Sequence, residues 1–439
     1  MNSTTWSGYI TKTFPKLEND ISCDVLVIGG GICGILCAHF LKQSGKKVVL
    51  LEADNICGKK TLKTTATITA IEDVMYYDLI NTIGAEKAKL YLEANMFALN
   101  EYRKLASKID FDFEECSSYK YSTIDDGKIE LEIASIKTLG YIATLRENLP
   151  FPIEVSKVLE FKNQGQMNPL KLVNELIKEL EIYENSRVIK LKDNVAFTEN
   201  NRVSFEKVVV CTGYPFLRFK GLFFLKMYQK KSHVVEVFNE YKNKGNGVGT
   251  SENDIYFRTY KDNVLFGSSD SRTGYNCLDF ELINELIVKK YNITKIKNRW
   301  INIDAITLDS LPYIGAYSGF DEDMFVATGF NMWGMTKSML SAHIICDLIN
   351  EKHNKFSKLF SPSRRMLFKP LIKNIGSAIA ELVSLKKVRC KHLGCPLYYN
   401  KADETYECRC HGSKYDKNGS IIDTPTQKPI DTKWIGFFL

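Results

Sequence analysis

The stretch from Asp24 to Glu52 reads DVLVIGGGICGILCAHFLKQSGKKVVLLE, and its reading decides the fold. Asp24 to Ile28 is a short apolar run bounded by glycine, the pattern of a buried parallel strand. The apolar-periodic residues that follow to Lys42 predict a helix, SGKK turns the chain, and Val48 to Leu51 predicts a second strand ending at Glu52. Gly29-x-Gly31-x-x-Gly34 sits where the first strand meets the helix. There the first glycine permits the tight turn, the second lets backbone approach a pyrophosphate, and the third allows close helix packing. The free N–H groups and positive dipole end of the helix suit phosphate. Glu52, 18 residues after Gly34, stands where an acidic side chain takes ribose hydroxyls. Together these make one Rossmann-like βαβ unit, and its spacing leaves FAD and NAD both open.

Outward from this unit, 439 residues suffice for two or three domains at roughly 150 residues each. A composition of 44% hydrophobic and 25% charged residues is that of a globular chain and excludes disorder. No apolar run reaches the roughly 18 to 20 residues needed to cross a bilayer. The first twenty residues lack the basic and apolar regions of a secretory signal, so the expected setting is cytoplasmic. Asp78 to Ile109 has helical periodicity. From Gly221 to Thr273, runs such as HVVEV, DIYFRTY and NVLFGS read as antiparallel strands. Between them KNKGNGVGTSEND reads as a polar loop whose G-x-G-x-G has no strand before it or helix after it. Strands return at Lys207 to Val210 and Met324 to Ala327, and a helix runs from about Gly334 to Asn350.

The net charge of +7 is unevenly placed: Glu351 to Arg389 carries ten Lys or Arg against two Glu, leaving the rest near neutral. One basic segment argues for a local surface or linker, not nucleic-acid binding. Within it, Leu371, Ile372, Ile375, Ile379, Leu382 and Val383 have helical spacing, which fits a linker helix packed on the main body or a helix lying on a membrane surface. The cysteines are uneven too. Eight are scattered from Cys23 to Cys346, while Cys390, Cys395, Cys408 and Cys410 cluster beside His392 and His411. Such clustering points to metal or redox chemistry. Cys390-x-His392 and Cys408-x-x-His411 supply two thiolates and two imidazoles, a set that serves zinc or a Rieske [2Fe–2S] centre.

Beyond the first motif the chain resembles the D-amino-acid-oxidase-like family of FAD-dependent oxidoreductases. The matching features are the Trp6 arm, GGGICG, TTATIT at Thr64 to Thr69, VVVCTGYP at Val208 to Pro215, and DSLPYIG…FVATGFNMWGMT from Asp309 to Thr336. The resemblance implies FAD in an extended form, with Thr64 and Thr65 near pyrophosphate and flavin, Val188 near adenine and Gly213 on the neighbouring strand. Gly329, Phe330, Asn331, Gly334, Met335 and Thr336 would lie along the isoalloxazine at a helix N-terminus. Amino-acid-oxidising members carry an arginine shortly before D-x-x-P-x-I-G to grip the substrate carboxylate. Here that stretch is INIDAITLDSLP, with Asp304 in the place of the arginine, so a simple α-amino acid is not the expected substrate. Arg258 and Arg272 are the substitutes at hand, and neither is expected to take that role.

CKHLGCPLYYN…YECRCHGSKYD resembles the Rieske loops of cytochrome bc-type complexes, which favours iron–sulfur over zinc. That resemblance implies iron ligands Cys390, His392, Cys408 and His411, a disulfide between Cys395 and Cys410, and hydrogen bonds to the cluster from Ser413 and Tyr415. The expected fold is α/β: a Rossmann-like FAD-binding domain with an antiparallel-sheet substrate domain, plus a small all-β Rieske module. Expected bounds are 1–350 for the oxidoreductase, with FAD-binding segments about 20–75, 150–220 and 300–350 and a substrate subdomain about 76–149 and 221–299. A basic linker helix over 351–386 and the module over 387–439 complete the chain. The function implied is oxidation of a small substrate at FAD, with electrons passed singly to the cluster and an external acceptor. Catalytic residues are not assigned. Two alternatives stay open: a reductase fed by an external carrier through the cluster, and a non-enzymatic redox sensor. No nucleic acid and no integral membrane segment is expected, and peripheral membrane contact would run through the basic linker.

Overall fold

Ile21–Ile28 forms the strand expected from the opening stretch, Ile32–Gln43 the helix and Val48–Leu51 the second strand. All four residues of the second strand are buried, as a central parallel strand covered on both faces requires. These coordinates are a computed structural model describing residues 3–10, 12–151, 153–238, 244–251, 254–275, 280–291, 295–365, 368–384, 388–401 and 404–431. The first strand pairs in parallel with Val48–Leu51 on one side and Arg202–Gly213 on the other, with Ile28 level with Leu51 and Val210. Met324–Thr328 extends the sheet in parallel and Tyr313–Ala316 closes its edge in antiparallel fashion. The helix Gly334–Ile349 packs on Ile32–Gln43, so the two helix starts meet at the same end of the sheet.

A nine-stranded sheet borders this unit in the order Ile296–Thr307, Met227–Phe238, Asn263–Arg272, Tyr256–Tyr260, Asn246–Gly249, Glu114–Ser122, Lys157–Gln166 and Thr67–Ile68, with Thr144–Arg146 also on Lys157–Gln166. Its pairs are antiparallel except Asn246–Gly249 with Glu114–Ser122, which run in parallel. Three sequence expectations change here. Residues 246–249 of the supposed polar loop form a strand, because flanking strands supply both ladders to a segment whose own pattern is too polar to announce itself. Lys157–Gln166 and Ile296–Thr307 fall in or across the stretches expected to bind FAD, yet both pair in the nine-stranded sheet. The helical pattern from Asp78 is two helices, Tyr76–Ile83 and Ala85–Ala106, broken at Gly84, whose φ of +86 ends the first.

The helix Phe368–Leu382 ties to the main body where Asn374 Nδ2 donates to the Leu225 carbonyl at 2.9 Å. The chain then enters a four-stranded antiparallel meander, Leu397–Asn400, Thr405–Cys408, Lys414–Asp416 and Ile421–Asp423. Its own small core gathers Cys390, Cys395, Cys408, Cys410, Leu397, Tyr406 and Tyr415. Among the described residues no helix is long and apolar enough to cross a membrane.

Candidate functional site

The dinucleotide groove opens at the end of the first strand. Gly29 has φ +110, and a Cβ there would lie 2.6 Å from the Cys211 carbonyl oxygen. A Cβ on Gly34 would lie 2.0 Å from the Gly29 carbonyl oxygen, so helix and strand approach more closely than any side chain allows. Gly31 differs: the nearest atom to a Cβ there is Thr61 Oγ1 at 3.4 Å, and beyond it lies the groove. Glu52 closes one end, accepting from the Gly30 N–H at 2.7 Å and the Asp54 N–H at 2.9 Å. Val188 and Thr64 line the walls, and Gly213, Phe330, Gly334 and Met335 line the other end. This long groove, with open backbone over Gly31 and an acidic residue at the far strand, fits an extended dinucleotide.

Asn331 and Met332, both left-handed at φ +51 and +71, turn the chain into the helix at Gly334. Asn331 pins this turn: its N–H donates to the Ala305 carbonyl at 3.1 Å and its Oδ1 accepts from the Thr307 N–H at 2.8 Å. Gly329 cannot carry a side chain, since a Cβ would lie 2.3 Å from Thr307 Cγ2. The Thr336 hydroxyl bonds the backbone of Thr69, which joins TTATIT to the same helix start. Thr65 is held from behind, its carbonyl accepting from buried Arg258.

A second cavity of about 570 Å³ adjoins the groove at Thr64, Asn302, Asp304 and Gly334. Tyr77, Tyr256, Phe257 and Trp333 give it aromatic walls. Asp304 sits at its junction with the groove, taking Asn302 Nδ2 at 3.0 Å, and burial pushes its carboxyl above the usual carboxylate range despite Lys60 nearby. No arginine is among the described residues lining this cavity. Arg258 lies against both Trp6 and Tyr260, 5.1 and 5.5 Å from their ring centres. Arg272 points elsewhere, Nη2 donating to the Cys410 carbonyl at 2.6 Å.

The Cys/His loops are built alike. The Gly394 N–H donates to the Cys390 carbonyl at 3.0 Å and the Gly412 N–H to the Cys408 carbonyl at 2.9 Å. Both glycines have φ +80, so each loop turns in the left-handed region just past its histidine. His392 and His411 are 3% and 2% exposed, with ring centres 4.9 Å apart. Both Nδ1 atoms and Ser413 Oγ are buried without a hydrogen-bond partner. Two buried imidazole nitrogens without partners, on rings 4.9 Å apart, are what a metal group bonded by both histidines would use. Burial pushes His392 down to about 3, leaving it neutral and free to ligate. The Tyr415 hydroxyl stands 3.5 Å from Cys390 Sγ, accepts the Lys391 N–H at 3.0 Å and donates to Thr426 Oγ1 at 2.7 Å. Ligand atoms of Cys395, Cys408, Cys410 and His411 all lie within 4.8 Å of one another. Cys395 and Cys410, implied as a disulfide, stand here as separate thiols.

The sequence reading missed what joins the two sites. His411 packs 6.0 Å from Phe224, and Arg218 Nη2 donates to the Lys391 carbonyl at 2.8 Å. Asp423, Thr424 and Gln427 of the C-terminal module line the dinucleotide groove itself. These contacts span more than a hundred residues, and no local pattern announces them.

A dinucleotide groove beside an aromatic cavity, with a two-loop Cys/His centre docked against it, defines a flavin and iron–sulfur oxidoreductase. The chain belongs to the FAD dependent oxidoreductase family, whose model matches residues 24–348, and the Rieske [2Fe-2S] domain model matches residues 381–433. Its cofactors are accordingly FAD and a [2Fe–2S] cluster. It is 28% identical, over 95% of this chain and 94% of the other, to a Bacillus subtilis (strain 168) chain named as the Rieske 2Fe-2S iron-sulfur protein YhfW. A 41-residue stretch is 44% identical to the cytochrome b6-f complex iron-sulfur subunit 2 of Trichormus variabilis, covering 9% of this chain and 23% of that one. In fold it matches glycine oxidase from Geobacillus kaustophilus with a TM-score of 0.65 at 18% identity, over 79% of this chain and 100% of that one.

Proposed function

We propose that the chain oxidises a small polar substrate, other than a simple α-amino acid, and routes the electrons singly through its own cluster to an external one-electron carrier. The observation that carries this reading is the burial of both cluster histidines against the flavin-binding part, whose groove the module also lines. An edge closed to solvent in this way faces an internal donor. FAD would take two electrons as hydride from substrate, and the cluster would carry one at a time.

Gly29, Gly31, Gly34, Glu52, Thr64, Thr65, Val188 and Gly213 would hold the dinucleotide. Gly329 to Thr336 would hold the ring, where the N-terminus of Gly334–Ile349 favours negative charge. Cys390, His392, Cys408 and His411 would hold the irons. Cys395 and Cys410, 2% and 1% exposed, would close a disulfide between the loops that burial shields from cellular thiols. Outside the module, the seven free cysteines among the described residues support a cytoplasmic setting.

Redox titration followed by electron paramagnetic resonance tests the direction of flow. Ser413 Oγ, buried without a partner, would donate to cluster sulfur. The Tyr415 hydroxyl, which here donates to Thr426 Oγ1, would turn its proton to the Cys390 sulfur 3.5 Å away. Both bonds would favour the reduced form. The midpoint is expected in the upper half of the roughly −150 to +300 mV Rieske range, above the flavin couple, and lower in Ser413→Ala and Tyr415→Phe. A midpoint below the flavin couple, or no downward shift in either variant, contradicts the reading.

A further inference from the structure

Gln229 lies on the strand Met227–Phe238, fully buried between the two cofactor sites. Its Nε2 donates to the His411 carbonyl at 2.9 Å and to the Thr424 carbonyl at 2.7 Å. Its Oε1 accepts from Lys60 Nζ at 3.1 Å. Lys60 lines the dinucleotide groove, and its side chain would lie 3.0 Å from a Cβ on Gly213. One amide therefore grips two loops of the module with its donors and a groove-lining cation with its acceptor. The fit is close on the far side as well: a Cβ on Gly412 would lie 2.5 Å from Gln229 Cβ. Gly412 is thus required by the docking surface as well as by its own φ of +80, whereas nothing lies within 4 Å of a Cβ on Gly394 in the sister loop.

We infer that Gln229 is a positioning residue that joins the flavin and cluster sites, and that the docked module forms part of the flavin-binding wall. This rests on the function proposed above. Two hydrogen bonds, Lys60 to Gln229 and Gln229 to the His411 carbonyl, thus link the groove to the backbone of a residue read as an iron ligand. With both cofactors bound, the reduced flavin would give one electron to the cluster across the gap this link holds, taking one ferric iron to ferrous. The second would follow once the external one-electron carrier had reoxidised the cluster, and the flavin's protons would go to solvent. The residue holds the distance and keeps water out, while the cofactors carry the charge.

The test uses the full chain loaded with both cofactors. Gln229→Leu preserves volume and removes all three hydrogen bonds. It is expected to keep two irons and the wild-type resonance signature. It should bind FAD at least tenfold more weakly, measured by flavin fluorescence on re-adding FAD, and slow internal flavin-to-cluster transfer about tenfold or more, as small misplacements do. Lys60→Met, which leaves the module's loops untouched, should share the slowed transfer with an unshifted cluster midpoint, and it decides the matter if Gln229→Leu loses its cluster. Unchanged FAD affinity and transfer rate in these variants overturn the inference. If wild-type flavin does not reduce its own cluster, the functional reading fails instead. The affinity arm then still decides whether the module builds the flavin wall.

Discussion

Gly31 and Gly34 belong to one motif and are glycine for different reasons. Gly34 is fixed by the fold, because a Cβ would strike the Gly29 carbonyl at 2.0 Å, while Gly31 has ordinary room at 3.4 Å from Thr61 Oγ1. Gly31→Glu should therefore leave the fold and the cluster intact and abolish flavin retention, since its carboxylate would occupy the space and oppose the charge of the pyrophosphate. Flavin absorbance against iron content on one preparation checks this, and loss of both together would contradict it. Residues of this kind were legible because their chemistry is local. The carboxylate at position 304, where an arginine was absent, was legible too, and the structure sets it at the junction of cavity and groove. Gln229 and Lys60 were not legible, because their importance comes only from partners 182 and 169 residues away.

At the scale of elements, strong periodicity was readable and borrowed structure was not. The opening strand, its helix and the helix at Gly334 follow from apolar spacing alone. The strand Asn246–Gly249 does not, since its ladders come from Tyr256–Tyr260 and Glu114–Ser122. The helix Phe368–Leu382 lies between these cases: its spacing announced a helix but allowed two settings. Ile372, Ile379 and the following Val383 are 53%, 56% and 73% exposed, while Asn374 is buried against the body. An apolar stripe left in solvent within a segment carrying ten basic residues suits an anionic membrane surface. We expect co-sedimentation with vesicles containing anionic lipid, weakened severalfold in an Ile372→Ser, Ile379→Ser pair and by added salt. Equal binding of the pair, or none by the wild type, would exclude this contact.

Over the whole molecule, a buried ion cluster fixes the module to the body. Lys231 reaches from the body to Glu407 at 3.0 Å, the two side chains being 0% and 1% exposed, and Lys414 approaches the same carboxylate at 3.2 Å. Burial alone would raise the Glu407 carboxyl, but Lys414 and Lys231 hold it below the usual range. A depressed carboxylate stabilises docking above its unfolded pKa, and that stability is lost as pH falls through the folded value. Docking should therefore be tight at neutral pH and loosen below the usual carboxylate range. Glu407→Gln, which removes the buried carboxylate that Lys231 and Lys414 share, should cost about 3–5 kcal/mol and expose the segment before Cys390 to protease at neutral pH. Protection equal to the wild type would mean that the pair does not hold the module.

A module fixed in this way, with its histidine edge turned inward, should receive electrons from its own flavin. The most direct measurement is the rate at which the cluster signal appears after rapid anaerobic reduction of the flavin, followed over a tenfold range of protein concentration. The account predicts a first-order rate that does not change with concentration. A rate that rises in proportion to concentration, or a cluster that stays oxidised beside reduced flavin, would contradict it.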